Sequence, residues 1–297
     1  MTAQPELTRI ALVIHPTREI AGTVETLERW AREHSMDVVQ IPAVGESVRA
    51  VAAAGELTAG DLVVALGGDG TVLAALRAAA PLDAPVLGVA CGSLGALTAV
   101  HADRVEEALE RVLAGDWSAH RLPALAVRPA GAGAQWSVND FVVARRGAGQ
   151  VVADISVDDQ LYVRLAGDGV IVATALGSTA YSMAAGGPVL APGTPAVVCT
   201  PVSMHGGNAP PLVAAATATI RVTVHPSFAG FDVELDGHVY PMEATDFTIS
   251  LEEDKVTLVS FGELGLGLSS LRERRLITDS PRVLARDART ASRSRPA

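Results

Sequence analysis

Leu62-Val63-Val64-Ala65-Leu66-Gly67-Gly68-Asp69-Gly70-Thr71-Val72-Leu73-Ala74-Ala75-Leu76-Arg77 decides how this chain folds. The unbroken apolar run reads as a strand buried on both faces, and the spacing after Thr71 reads as a helix. The glycines between them let the backbone of a turn take positive φ and come close to a ligand. Unpaired N–H groups and the positive dipole end of the helix favour phosphate at such a turn. The stretch predicts an anion site with one carboxylate, Asp69, inside it.

Residues 10–14, 38–41, 62–66 and 86–89 read as short apolar strands, and 19–34, 45–55, 71–80 and 103–114 carry helical spacing. Alternating strands and helices imply a parallel sheet covered on both faces, with ligands beyond the carboxyl ends of the strands. Asp69 and the loop from Gly88 to Gly95 would lie there. From about residue 120 the texture becomes strand-rich, through Ala124–Arg128, Ser137–Ala144, Asp154–Val157, Leu161–Ala166 and Val170–Ala175. Alternation over Ile220–Val224, Phe231–Leu235, Phe247–Leu251 and Val256–Phe261 predicts antiparallel strands, the last two joined by a hairpin at Glu252-Glu253-Asp254-Lys255. The expected fold is an α/β domain with a parallel sheet over 1–118 and a β-rich, sandwich-like domain over 119–262. A segment over 263–297 would return to the first domain and end in a disordered tail bearing Arg286, Arg289, Arg293 and Arg295.

The balance of 33 acidic against 23 basic residues, a net charge of −10, argues against nucleic-acid binding while leaving a small phosphorylated ligand compatible. The single lysine is Lys255, and no Gly-x-x-x-x-Gly-Lys-Ser/Thr occurs. Phosphoryl chemistry would therefore use backbone amides, arginine and a metal in place of a loop lysine. No stretch is long and apolar enough to suggest a membrane span, and Met1–Thr8 lacks the basic and apolar regions of a signal peptide, so a cytoplasmic protein is expected. Cys91 and Cys199 read as small buried hydrophobes and not as a disulfide or metal pair.

A second glycine-bounded acid, Gly167-Asp168-Gly169, precedes the strand pattern 170–175 and then Gly177-Ser178-Thr179-Ala180-Tyr181-Ser182, where Ser178 or Thr179 could cap a helix. Each acid also has a plain structural reading. Asp69 could bond the amides that follow it, Asn139-Asp140 is a common turn pair, and Asp236-Gly237 between alternating strands is a standard hairpin turn. Arg145, Arg146 and Arg164 are candidates to hold phosphate, and His15 and His205 could reach a cleft without metal-ligand spacing.

Taken together and in order, Gly67-Gly68-Asp69-Gly70-Thr71, Asn139-Asp140, Gly167-Asp168-Gly169, Gly177-Ser178-Thr179-Ala180-Tyr181 and Asp236-Gly237 resemble the motifs of the NAD kinase family, from about Ile10 to Phe261. The first motif is shared with diacylglycerol, sphingosine and phosphofructokinase relatives; the Asn-Asp and Gly-Ser-Thr-Ala-Tyr segments discriminate. The resemblance implies phosphorylation of the adenosine-ribose 2′-hydroxyl of NAD by ATP and magnesium, often in a homo-oligomer. It assigns Asp69 to orient the acceptor hydroxyl and take its proton, with Gly68, Gly70 and Thr71 beside it. It implies that Asn139 and Asp140 hold adenine and ribose, that Thr179, Ala180 and Tyr181 line the pocket, that Asp168 meets the nicotinamide end or its ribose, and that Asp236 belongs to the substrate site. No metal ligand is assigned. Ala90 and Ala96 stand where the family has asparagine and phenylalanine, and Ala209-Pro210-Pro211 lacks the arginine the family has before the second proline. These losses leave open a related kinase of another hydroxyl, such as a nucleoside, sugar or lipid. A nucleotide-binding regulator without turnover is the third reading.

Overall fold

A computed structural model describes residues 7–42, 49–225, 229–262 and 264–293. The first half alternates as expected: β1 (Arg9–Ile14), α1 (Ala21–Glu33), β2 (Asp37–Gln40), β3 (Ala53–Ala54), β4 (Asp61–Gly67), α2 (Asp69–Ala79), β5 (Pro85–Ala90), β6 (Val100–His101) and α3 (Val105–Leu113). These strands pair in parallel, in the order β3-β2-β1-β4-β5 with β6 on β5. Every residue of β4 and β5 is buried, as the unbroken apolar runs require. Helix α1 presents Val24, Leu27, Trp30 and Ala31 to one face of this sheet, and α2 packs its apolar side on the other. Truncating a core residue such as Leu66 to alanine would cost about 2–5 kcal/mol.

One expected helix does not form. Part of the segment 45–55 lies outside the described residues, and its described part, from Arg49, is extended, with Ala53–Ala54 pairing β2 as a short parallel strand. Gln40 takes the place of helical hydrogen bonding there: its Oε1 accepts the Val51 N–H at 2.8 Å and its Nε2 donates to the Arg49 carbonyl at 2.8 Å.

The second half supplies β7 (Ser118–Pro129), β8 (Gln135–Ser137), β9 (Asp140–Arg145), β10 (Val151–Val157), β11 (Gln160–Gly167), β12 (Gly169–Ala173), α4 (Tyr181–Ala184), β13 (Ala196–Val202), β14 (Leu212–Ala215), β15 (Ile220–His225), β16 (Phe231–Leu235), β17 (His238–Tyr240) and β18 (Asp246–Ser260). One antiparallel sheet runs β14-β13-β12-β9-β16-β17. It faces β10, β11, β15, the second half of β7 and the first half of β18, and a core containing Phe141, Val170, Ile155, Val222 and Phe247 fills the space between. The second domain is thus the expected β-rich sandwich.

Strand β18 departs from expectation in being continuous over 15 residues, without a hairpin at 252–255. It pairs β7 on both sides of a bulge between Glu252 and Val256, where Asp254 takes φ 48°. Arg121 donates to the Asp254 carbonyl, so the extra residues bulge outward and the strand resumes. Beyond the bulge β18 joins the parallel sheet beside β5, with Thr257 opposite Pro85 and Leu258 opposite Val86. One ribbon, β7 and β18, therefore belongs to both cores.

After β18 the chain returns to the first domain, where Leu264 and Leu266 pack on its core, and forms α5 (Leu268–Glu273). Helix α6 (Pro281–Arg293) occupies most of the stretch whose composition predicts a disordered tail, and its strong segregation of apolar and arginine positions supplies the helical periodicity. No helix among the described residues is long and apolar enough to cross a membrane. Cys199 is buried, which pushes its thiol up to about 12, whereas Cys91 is only half-buried.

Candidate active site

β4 ends at Gly67 and α2 starts at Asp69, so the chain turns through Gly68, whose φ and ψ of −127° and −167° are extended. None of Gly67, Gly68 and Gly70 adopts a positive φ. They serve close approach instead. A side chain at Gly67 would overlap Thr71, and a Cβ at Gly68 would stand 3.3 Å from Arg18 Nη1. A Cβ on Gly70 would meet nothing within 4 Å, so the first turn of α2 opens outward there. Thr71 itself is buried, and its N–H bonds the Gly68 carbonyl at 3.0 Å.

The Asp69 carboxylate points across to the loop after β5. Its Oδ2 accepts the Ala96 N–H at 3.1 Å and its Oδ1 the Leu97 N–H at 3.0 Å. Gly95 makes room for it, since a Cβ at that position would overlap the carboxylate. Arg274, just past α5, brings Nη2 to 3.6 Å of Oδ2, and the side chain keeps 28% of its surface exposed. Asp69 is therefore fixed in direction yet accessible. Because these contacts are to backbone, the alanine at 96 removes none of them.

Two turns along α2 from Asp69, the second domain packs an acidic cradle against Arg77. Asp236 sits at the start of a left-handed turn, φ 50° followed by Gly237 at 75°, which gives the expected hairpin between β16 and β17. Its carboxylate is fully enclosed. Oδ1 accepts the Ser137 hydroxyl at 2.6 Å, the Asn139 N–H at 2.6 Å and the Asp140 N–H at 3.2 Å. Oδ2 accepts Arg77 Nη1 at 2.8 Å and the Val138 N–H at 3.2 Å. Arg77 lies on α2, so this buried pair ties the helix that starts at Asp69 to the loop that carries Asn139 and Asp140. Asp236 is a support for the site, with no oxygen left to face a ligand.

Asn139 is half-buried; its carbonyl accepts the Thr174 N–H at 2.9 Å and lies hard against Gly177, where no side chain would fit. Asp140 is buried and its carboxyl is pushed up to about 7, first by burial and then by Asp236 and Glu234, against the Tyr181 N–H and Arg77. Asn139, Asp140, Thr174 and Tyr181 are thus one cluster. The expected capped helix after Gly177 is a single 3-10 turn, Gly177–Thr179, followed by the four-residue α4. Neither hydroxyl caps it: Ser178 donates to the Ala175 carbonyl at 2.6 Å and Thr179 to the Leu176 carbonyl at 2.9 Å. Tyr181 is exposed.

Two openings flank these groups. A cavity of about 460 Å³ is lined by Gly95, Ala96 and Arg274 beside Asp69, and one of about 940 Å³ by Leu176, Thr179, Leu266 and the same Arg274. Asp168 stands apart, beyond the far end of β12 from Thr174, in an ion pair with Arg145 at 2.6 Å and with His205 Nε2 at 3.8 Å. Arg146 and Arg164 are likewise paired on the sandwich, with Asp232 and Asp154. Among the described residues no group of three or more His, Cys, Asp or Glu side chains could hold a metal ion. Sequence reasoning missed Arg18, Arg77 and Arg274. Only Arg18 had a visible cue, its place just after the first strand, where ligands of parallel sheets bind.

A parallel α/β sheet whose glycine turn holds one partly exposed carboxylate, tied to a β-sandwich by the shared β7 and β18 ribbon and by the buried Arg77–Asp236 pair, defines a two-domain protein of an α/β half and a β-rich half. Residues 10–117 match the model of the ATP-NAD kinase N-terminal domain, and residues 138–256 that of the ATP-NAD kinase C-terminal domain. The chain is 34% identical to the NAD kinase of Koribacter versatilis over 82% of its own length and 90% of that protein. It is 35% identical to the NAD kinase of Symbiobacterium thermophilum, over 77% and 84%. Among solved structures, yeast NADH kinase complexed with NADH shares the fold with a TM-score of 0.75 and 20% identity, covering 93% of this chain and 89% of that one. An NAD kinase from Archaeoglobus fulgidus in complex with ATP gives 0.66 and 24%, over 91% and 100%. This chain belongs to the NAD kinase family.

Proposed function

We propose that the chain transfers the γ-phosphoryl group of ATP to the 2′-hydroxyl of the adenosine ribose of NAD, giving NADP and ADP. The observation that carries the reading is Asp69, whose carboxylate is aimed by two loop amides and partly exposed at a glycine turn, on the helix that Arg77 ties to the loop bearing Asn139 and Asp140. In this reading Asp69 accepts the hydrogen bond of the attacking hydroxyl and takes its proton as the new O–P bond forms and the bond to the leaving ADP oxygen breaks. Gly68, Gly70 and Thr71 shape the backbone beside the donor phosphates. Asn139 offers an amide that donates and accepts, Asp140 a carboxyl for ribose hydroxyls, and Thr179, Ala180 and Tyr181 the wall of the pocket. Asp168 meets the nicotinamide end, and Asp236 acts by holding the loop that bears Asn139 and Asp140.

Magnesium would neutralise charge on the donor phosphates. The described residues offer it no group of three His, Cys, Asp or Glu side chains, so substrate phosphates and water would supply most of its ligands, and no residue is assigned to hold it. The same reading divides the chain into 1–118, 119–262 and the returning segment 263–297, with the β7 and β18 ribbon crossing between the first two, and takes the protein as a cytoplasmic homo-oligomer. The test is purified protein with ATP, magnesium and NAD, scored for NADP. NADP formation supports the reading; ATP consumed only on a nucleoside, sugar or lipid, or NAD bound without product, overturns it.

A further inference from the structure

The three arginines that sequence reasoning offered for phosphate are all paired with acids on the sandwich, which leaves the glycine turn in need of a cation. One is in place. Arg18 follows β1, and its backbone N–H, with that of Thr17, donates to His15 Nδ1 at 3.2 Å, which bends the chain so that the guanidinium crosses the carboxyl ends of β4 and β5. The Arg18 carbonyl accepts Arg49 Nη1 at 2.7 Å, which pins the bend from the other side. Nη1 donates to the Cys91 carbonyl at 3.1 Å.

The same guanidinium lies against two glycines from different loops. A Cβ on Gly68 would stand 3.3 Å from Nη1 and 3.4 Å from Nη2, and one on Gly92 would stand 3.0 Å from Nη1. Any side chain at either position would come between the arginine and the turn. Of the five N–H donors of the guanidinium, the one hydrogen bond found among the described residues uses Nη1. No acid pairs with it there, in contrast to Arg145, Arg146 and Arg164.

We propose that Arg18 is the phosphate-binding residue of the donor site, holding the β- and γ-phosphates of ATP against the Gly67–Gly70 turn. The assignment rests on the kinase reading given above. A planar fork of donors suits paired phosphate oxygens, and a charge delivered from β1 at the strand ends does what a loop lysine does in other nucleotide sites. His15 supports it as a neutral acceptor: burial and the adjacent Arg18 charge hold its imidazole below the usual histidine range.

The test compares wild type with Arg18→Gln and Arg18→Lys, by steady-state NADP formation and by calorimetric binding of ATP to the full chain, with thermal melts to show that each variant folds. Arg18→Gln is expected to weaken ATP binding and raise the KM for ATP roughly 10–100-fold, the loss of a charge-assisted contact. The KM for NAD stays within about twofold on that account, and Arg18→Lys recovers part of the loss. Unchanged ATP binding and KM in a folded Arg18→Gln overturn the assignment while leaving NADP formation intact, and an equal loss for NAD and ATP overturns it in favour of a structural role. Wild type that forms no NADP defeats the kinase reading separately, and the ATP-binding comparison still decides Arg18.

Discussion

The tripeptide Gly-Asp-Gly occurs at 68–70 and again at 167–169, and the two copies have different fates. Asp69 follows a buried parallel strand and opens a helix, so its carboxylate stands at the carboxyl edge of the sheet. Two amides of a neighbouring loop aim it, and part of it stays exposed. Asp168 sits between two antiparallel strands, β11 and β12, and its carboxylate is taken up by Arg145 and His205. The glycines also differ in their reasons. Gly68 clears space for an arginine, whereas Gly167 and Gly169 clear space for neighbouring backbone, the former at Val202 and Ser203 and the latter at Val143. The same three residues leave a carboxylate accessible at the sheet's carboxyl edge in one topology and make an ion-paired strand junction in the other, because strand direction decides what lies beyond the turn.

The sharpest break of this comparison is Asp69→Asn. Asparagine retains the shape but cannot take a proton, so kcat should fall about 10²–10⁴-fold, with melting temperature nearly unchanged, measured as NADP formation beside a thermal scan. A variant with full turnover would put the two turns on equal footing.

The next effect in size lies in the frame between the domains. Asp236→Asn leaves the Arg77 guanidinium buried without a countercharge, and its Nε already lacks a partner. Breaking one side of a buried pair costs about 3–5 kcal/mol, to be read from urea unfolding. Replacing both with apolar residues of similar volume should recover much of that stability while NAD binding stays impaired, since the 137–140 loop loses its anchor.

Much of this was legible in advance, for physical reasons that separate local from distant effects. β4, β5 and α2 follow from apolar runs and helical spacing, and the motif order located the Asn139–Asp140 and Thr179–Tyr181 segments that the fold brings together. The hairpin at 252–255 misled because a bulge and a turn use the same polar residues; the pairing of β7 across it, more than 120 positions away, decides between them. Asp236 read as a ligand residue because its Asp-Gly turn shows nothing of Arg77, which comes from the other domain. Arg274 is similarly invisible until α5 folds back beside Asp69.

A smaller effect separates the cradle from the turn by pH. The Asp140 carboxyl, held up to about 7, binds its proton more tightly folded than unfolded. Its contribution to stability without ligand is therefore greatest below the unfolded carboxylate range and is lost as pH rises from about 4 through about 7, where the buried group must ionise. Asp140→Asn should remove that decline, so its melting temperature gains on wild type more at pH 8 than at pH 5. An identical gain at both values would show that Asp140 is ionised throughout.

Asp168→Asn gives the smallest change in stability. Both partners of the Asp168–Arg145 pair are about a third exposed, and such pairs contribute roughly 0.2–1 kcal/mol. Losing one should leave the urea midpoint nearly in place, where Asp236→Asn displaces it strongly. That contrast makes the variant informative about binding: with folding unaffected, a raised KM for NAD at constant KM for ATP assigns Asp168 to the dinucleotide. Unchanged constants for both would leave the second Gly-Asp-Gly as a strand junction alone, and the likeness between the two turns would end at their sequence.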